Sequence, residues 1–301
     1  LTVSENFKRD VYNRVQLYKK YPVLAGNHLL ECDFPPAQRL VLRDLFNVNY
    51  LIISASRGVG KSFLGAVQGL LTAILIPNSK ILFTGPTFRH AKILFTEAEN
   101  ILKRSPRAQI WLRKPPVHQA DMWTIHFLNG SVIAALPLAS ESEVSIRGFR
   151  AHLIIADELP HIPEDTFNLV LLPMLSTYRD PMIRVRKIER YSKKIREGKM
   201  KKEDLDFADD NKFFGLTSAY FKFNHAYTKI LEFEKMRQER IEKGLPPKTQ
   251  THYFTYLDAP EGFIDLNDIE FAKRTQADFQ FRMEWLSEWQ ADSDGFYSSR
   301  L

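Results

Sequence analysis

Two short stretches carry residue types suited to phosphate chemistry. The first, Ala55-Ser56-Arg57-Gly58-Val59-Gly60-Lys61-Ser62, fits the phosphate-loop pattern G-x-x-x-x-G-K-[ST] with Ala55 in the first Gly position. In such a loop successive backbone N–H groups cradle phosphates at the positive end of the helix that follows. Gly60 permits close backbone approach, Lys61 neutralises the β and γ oxygens, and the Ser62 hydroxyl ligates Mg²⁺. The second stretch, Leu153-Ile154-Ile155-Ala156-Asp157-Glu158, sets two acids at the end of a fully apolar run. Asp157 would hold Mg²⁺ through water, and Glu158 would polarise water for in-line attack at a γ-phosphate. Alone, each stretch has an ordinary reading: a chance Gly-Lys-Ser turn, or a turn that begins with acids. Together each predicts the other. A base at Glu158 also separates this chain from phosphate-loop kinases, which lack one there.

These groups need a frame that brings loop and acids to one edge. Residues 50–53 read as a buried strand running into the loop, and residues 61 to about 76 as the helix after it. Strands are expected at 80–84, 152–156 and 212–217, the last leading to Thr217-Ser218-Ala219, with a helix at 88–103. Residues 123–127 and 131–136 flank Asn129-Gly130, a hairpin signal. Ahead of the loop, Val3, Phe7, Val11, Val15 and Tyr18 follow a possible capping box, Thr2 to Glu5, at helical spacing to about residue 21. A second helix, 37–46, follows Pro35-Pro36. The tail reads as helices 225–242 and 265–289 around a strand at 251–256, with Trp285 and Trp289 as packing anchors. Strands alternating with helices imply an α/β fold, a mostly parallel sheet covered on both faces, with ligands at the C-terminal ends of the strands. Residues 1–219 are expected to form the core and 220–301 a small lid subdomain.

Composition narrows the class further. The 301 residues are 44% hydrophobic and 26% charged, as in a soluble globular protein, and no apolar run is long enough to span a membrane. The single cysteine, Cys32, excludes a disulfide framework or a multi-cysteine zinc site and reads as apolar filler in a reducing, intracellular setting. The net charge of +6 is local: residues 181–202 hold ten Lys/Arg against Glu189 and Glu197, a net +8 that leaves −2 for the rest. That run is either a solvated helix or loop, or a phosphate-backbone contact, and composition does not choose.

The assembled motifs resemble the ATPase region of the large terminase subunit, the motor that packs double-stranded DNA into tailed-bacteriophage heads. Gln38, in Phe34-Pro35-Pro36-Ala37-Gln38, resembles the glutamine that reads adenine upstream of the loop, and Arg57 takes the place of the arginine common in terminase loops. Gly85-Pro86-Thr87-Phe88-Arg89-His90-Ala91 is similar to the segment after the second strand. Ile146-Arg147-Gly148 resembles the family's L-R-G stretch, whose arginine is proposed to reach a neighbouring subunit's ATP; Arg150 is the alternative finger. Thr217-Ser218-Ala219 resembles the motif that couples γ-phosphate loss to motion, and Asn224 and Tyr227 match the N-x-x-Y after it. The run 288–296 is similar to the link into a nuclease domain.

The resemblance implies a RecA-like phosphate-loop ATPase of the additional-strand, catalytic-glutamate type, working as a homo-oligomeric ring. ATP and Mg²⁺ are its cofactors, with double-stranded DNA, the procapsid portal and the small terminase subunit as partners and no membrane. Its place is the host cytoplasm, transiently at the portal. Because the chain opens without Met and stops at Leu301, where the nuclease domain would begin, a motor fragment without DNA cleavage is expected. A helicase is the rival enzyme, but the 82 residues after Ala219 are too few for a second motor domain. The other rival is a scaffold that binds ATP and hardly turns it over.

Overall fold

Short apolar runs bounded by turn residues become the strands of one sheet. The computed structural model describes residues 5–138, 149–176, 181–200 and 211–291. Its strands are β1 (Tyr50–Ala55), β2 (Lys80–Thr84), β3 (Val117–His118), β4 (Trp123–His126), β5 (Val132–Ala135), β6 (Leu153–Ala156), β7 (Lys212–Thr217) and β8 (Thr249–Phe254). They form an eight-stranded sheet in the order β3-β4-β5-β2-β6-β7-β1-β8. From β5 to β8 every pairing is parallel; β4 and β3 are added antiparallel at one edge. β7 lies between β1 and β6, with Ile52 opposite Gly215 and Ile155 opposite Phe214. The loop strand and the carboxylate strand are therefore separated by one inserted strand, the arrangement expected of an additional-strand ATPase.

Helix α4 (Lys61–Leu75) is buried from Leu64 to its end, because it is held between the sheet and α2 (Pro22–Leu30) and α5 (Phe88–Arg104). A Cβ at Gly69 would lie 2.6 Å from the Phe83 ring, so only glycine lets α4 sit this close to β2. The main hydrophobic core fills this layer, including Phe95, Phe127 and Phe214. A second cluster on the opposite face joins Phe167, Phe213, Ile230 and Trp289.

Several expectations meet corrections. Helix α1 (Glu5–Lys20) forms, but Phe7 and Val11 are exposed and Tyr18, near its end, packs on the core. The tail helix expected over 265–289 is two helices, Leu266–Thr275 and Asp278–Leu286. Ile269, Ala272 and Phe281 share one small cluster. In a straight helix nine residues turn about 900°, which would place Phe281 on the face opposite Ala272, so the chain must fold back between them. Trp289 then lies beyond the helix, buried in the second cluster. Strand β8, from the part expected to be a lid, completes the main sheet beside β1. Helix α2, strand β3 and the helical turns from Leu159 to Met174 carry no strong sequence signal. The basic run forms a helix, Pro181–Arg196.

Candidate nucleotide-binding active site

Parallel pairing brings the C-terminal ends of β1, β6 and β7 to one edge, and the chemically equipped residues collect there. β1 ends at Ala55, and the chain turns through Ser56–Gly60 before α4 begins at Lys61. Gly58 and Gly60 take positive φ values of 81° and 89°, and a Cβ at Gly60 would lie 2.5 Å from Gln38 Nε2. Gly60 is thus required by conformation and by space. Gln38, on α3 (Pro36–Asp44), is buried beneath the loop, and its Nε2 donates to Val59 O at 2.9 Å. An ordinary exposed helix position is excluded for Gln38. Its Oε1 is buried without a partner among the described residues.

Lys61 folds back over its own loop. Its ammonium donates to Ala55 O at 2.6 Å, to Ser56 O at 3.1 Å and to Ser218 Oγ at 3.3 Å. Burial holds the Lys61 pKa below the ordinary lysine value, opposed by the carboxylates of Glu158 and Asp157. The bond to Ser218 joins the phosphate loop to the end of β7, where Thr217 and Ala219 are also buried. Ser62 is half-buried in the first turn of α4.

Asp157 extends the β6 ladder, its N–H donating to Thr84 O at 2.9 Å, and the residue is only 5% exposed. Burial, then the neighbouring Glu158 charge, pushes its carboxyl up to about 6. Its Oδ1 accepts from Glu158 N–H at 3.1 Å. Glu158 is half-buried and takes the left-handed conformation, φ 49° and ψ 53°, rare for a residue with a side chain. That turn ends the strand abruptly just after Asp157.

The oxygens of Ser62 and Asp157 are hard donors of the kind Mg²⁺ takes together with nucleotide phosphates. Among the described residues no three His, Cys, Asp or Glu side chains form a metal cage, so a cation here would be shared with a phosphate ligand. The Asp157 carboxylate is buried, and among the described residues no side-chain cation is bonded to it, which suits that role.

A second layer ties the site together, and sequence motifs flagged only part of it. Asn224 Nδ2 donates to Pro160 O at 2.9 Å, and His225 Nε2 lies 2.7 Å from Ile162 O, so the segment after β7 grips the turn that carries Glu158. Tyr227 packs on Trp289, ring centroids 5.3 Å apart. Arg57 is exposed and pairs with Glu284 at 2.8 Å, while its N–H donates to Glu284 O at 3.4 Å. Ser54 Oγ accepts from Trp289 Nε1 at 3.1 Å and meets Ser287 Oγ at 2.9 Å. Glu284 and Ser287 were not legible, since nothing within their helix marks contact with a loop more than two hundred residues away.

Arg147 and the rest of its motif lie outside the described residues, as do Thr2 of the capping box and the end of the run at 288–296. Arg150 is described and exposed, just before β6. Six residues lie between it and Asp157, and His152 already pairs with Lys80 at the start of β2, so Arg150 sits near the N-terminal ends of the strands, away from its own site. His161 is exposed and packs edge-on against Tyr220 at 5.2 Å, and it closes the short 3-10 turn Leu159–His161 rather than lying in a loop. Cys32 is buried, its thiol pushed up to about 11 by desolvation, consistent with inert filler.

Comparison with curated proteins finds no match. Solved structures do match the fold. The large terminase ATPase domain of Thermus phage P74-26 is 16% identical over 88% of this chain and 97% of its own, with TM-score 0.60. The bacteriophage HK97 large terminase is 15% identical over 86% of this chain and 51% of its own, with TM-score 0.56. A thermophilic bacteriophage large terminase in complex with ADP is 15% identical over 85% and 54%, also with TM-score 0.56. This chain thus spans nearly all of one ATPase domain and about half of the other two proteins. No helix among the described residues is long and apolar enough to cross a membrane. Residues 52–299 match the family model for the terminase large subunit, T4likevirus-type, N-terminal region, and so the chain belongs to that terminase family.

Proposed function

We propose that this chain is the ATP-hydrolysing part of a viral DNA-packaging motor. The observation that carries the reading is the meeting of three strand ends at Lys61. Its ammonium bridges the phosphate loop and Ser218, and the nearby carboxylates act on it electrostatically. ATP would seat its phosphates on the N–H groups of Ser56–Ser62, with Lys61 turning from the loop carbonyls to the β and γ oxygens. Ser62 and Asp157 would hold Mg²⁺, which when bound would supply charge neutralisation for the triphosphate. Glu158 accepts a proton from the attacking water. Ser218, bonded to Lys61 when Lys61 faces the loop, passes the change at the γ position to β7. Arg57 turns from Glu284 towards the phosphates, and Gln38 supports the loop while its Oε1 is the acceptor for adenine.

An arginine from the stretch ahead of β6, Arg147 or Arg150, serves a neighbouring subunit's site; Arg150 is exposed before the start of β6, at the opposite end of that strand from its own Asp157. That geometry calls for a homo-oligomeric ring. The family and the packaging role give the partners: double-stranded DNA, the procapsid portal and the small terminase subunit, in the host cytoplasm at the portal. The P74-26 relative is named an ATPase domain, and another relative is solved with ADP and ATP-gamma-S, which supports a nucleotide at this edge. The helices from Leu266 to Leu286, which cover the loop through Glu284, are the moving lid.

Steady-state ATP hydrolysis by the chain and by Glu158→Gln, over a range of protein concentrations, tests the reading. Turnover that rises faster than linearly with concentration and is lost in the variant is the expected result. Equal turnover in both would remove Glu158 from the mechanism. ATP binding without turnover in either would favour the scaffold reading.

A further inference from the structure

The basic run between β6 and β7 takes no part in the nucleotide site, yet the structure gives it a definite shape. Its helix, Pro181–Arg196, contributes no described side chain to either main core or to the small cluster of the last helices. Even its apolar residues Met182, Val185 and Ile188 are exposed. The excursion is closed at its base, where Asn211 Nδ2 donates to Leu175 O at 2.7 Å just before β7 begins.

Arg186, Lys187, Arg190, Lys193 and Lys194 recur at i, i+1, i+4, i+7 and i+8, which puts all five on one face over about 12 Å of helix. The chain hardly neutralises them. Lys193 reaches Glu197 only at 4.0 Å, and Glu197 is already 2.9 Å from Lys199. Lys187 lies over the Tyr191 ring, while Arg186, Arg190 and Lys194 have no ion pair or hydrogen bond among the described residues. Like charges at i, i+4, here Arg186 with Arg190 and Arg190 with Lys194, repel along a helix. Such a stripe is stable only as well as solvent or an outside anion screens it.

We propose that this face grips the phosphate backbone of double-stranded DNA without reading its sequence. The proposal rests on the packaging reading above and locates the substrate of that motor on this chain. The spacing of fixed cations complements a duplex, which carries one negative charge per about 1.7 Å of axis. The one aromatic beside the face, Tyr191, has its ring covered by Lys187, so the stripe offers cations rather than the successive stacking platforms that bind single strands, favouring a duplex. Lys and Arg contacts to phosphates carry no base information, as a motor moving along a whole genome requires. Its place in the chain adds a mechanical reason: β7 runs from the base of this arm to Ser218, which contacts Lys61. One strand thereby links the DNA-holding arm to the phosphate loop.

The test is fluorescence anisotropy of a labelled random-sequence 30-base-pair duplex at several salt concentrations, without nucleotide. The parent chain is compared with a variant carrying Arg186→Gln, Lys187→Gln, Arg190→Gln, Lys193→Gln and Lys194→Gln. A control carries Lys103→Gln, Arg113→Gln and Lys114→Gln elsewhere on the surface. If four of the five cations meet phosphates, the slope of log affinity against log salt becomes shallower by about 3.6. Between 50 and 200 mM salt the variant then loses about a hundredfold less affinity than the parent, with the control unchanged. An unaltered slope in the five-fold variant, or an equal change in the control, overturns the assignment of this face. A parent chain that hydrolyses ATP but binds no duplex at the lowest salt overturns the DNA reading itself, and the separate hydrolysis assay tells these failures apart.

Discussion

Asp157 gives a prediction whose size can be worked from its surroundings. The side chain is nearly sealed from water, and burial with the adjacent Glu158 charge raises its pKa from 3.8 to about 6. Folding therefore favours the protonated acid. Below about pH 3.8 both folded and unfolded forms are neutral there, and the group is indifferent to folding. Between 3.8 and about 6 the unfolded chain ionises first, and the folded state loses ground at about 1.4 kcal/mol per pH unit. Above pH 6 the penalty is constant at about 3 kcal/mol. Asp157→Asn keeps an oxygen to accept the Glu158 N–H and removes the charge. The variant should therefore be more stable by about 3 kcal/mol at pH 7.5 and by roughly half that at pH 5, while binding Mg-ATP poorly. Urea unfolding followed by tryptophan fluorescence measures both values, and with m near ~3 kcal/mol/M the midpoint at pH 7.5 rises by about 1 M. A variant no more stable than the parent at pH 7.5, or a gain equal at both pH values, refutes the argument from desolvation. A site built for a cation and a triphosphate is thus expected to cost stability when its charges stand alone.

Other perturbations follow from the same geometry. Glu158→Gly releases a left-handed conformation and should leave stability equal or up to about 1 kcal/mol higher while turnover is lost; a clearly less stable variant would show that the side chain supports the fold. Gln38→Ala removes the bond to Val59 O, so ATP affinity by calorimetry should fall roughly five- to thirtyfold, the equivalent of about 1–2 kcal/mol; an equal fall for GTP would reject adenine recognition by Oε1. Glu284→Gln breaks a pair whose side chains are 74% and 38% exposed, so stability should change by under about 1 kcal/mol and ATP affinity should rise no more than about fivefold. An affinity gain above tenfold would mean that Glu284 restrains Arg57 far more strongly than an exposed ion pair can.

Legibility followed the range over which each signal acts. The phosphate loop, β2, β7 and the helix at His225–Glu242 are specified by residues within a few positions of one another, and their limits agree with the sequence reading. The acid pair was legible because two adjacent acids follow directly on a run of four apolar residues, marking the C-terminal end of a buried strand. What escaped was long-range. Nothing near Gln276 breaks the tail helix; the break comes from Ile269, Ala272 and Phe281 having to share one cluster. Nothing near Thr249 says that β8 pairs beside β1 rather than standing in a separate lid. Helix α2 has mixed burial and a weak apolar stripe, so its periodicity is faint beside that of α5.

The same distinction separates the chemistry of this site from its coupling. The groups that would meet phosphate lie within two motifs, and local residue types suffice to identify them. Coupling needs the loop to report its state to something that moves, and the structure provides three tethers that no motif contains whole. Lys61 reaches Ser218 at the end of β7, Asn224 holds the turn after Glu158, and Arg57 holds Glu284 in the Asp278–Leu286 helix. The first links two residues that the sequence reading named separately, and the second ties Asn224 to the turn after Glu158; both contacts follow only from β7 lying between β1 and β6. The third is exposed and therefore weak, which is what a reversible latch requires, since a tether worth several kcal/mol would resist release by a nucleotide exchanged at each cycle. Strength is concentrated where the loop is buried against Gln38, and weakness where the covering helices meet it. That gradient makes the helices from Leu266 to Leu286, rather than the sheet, the part expected to move first.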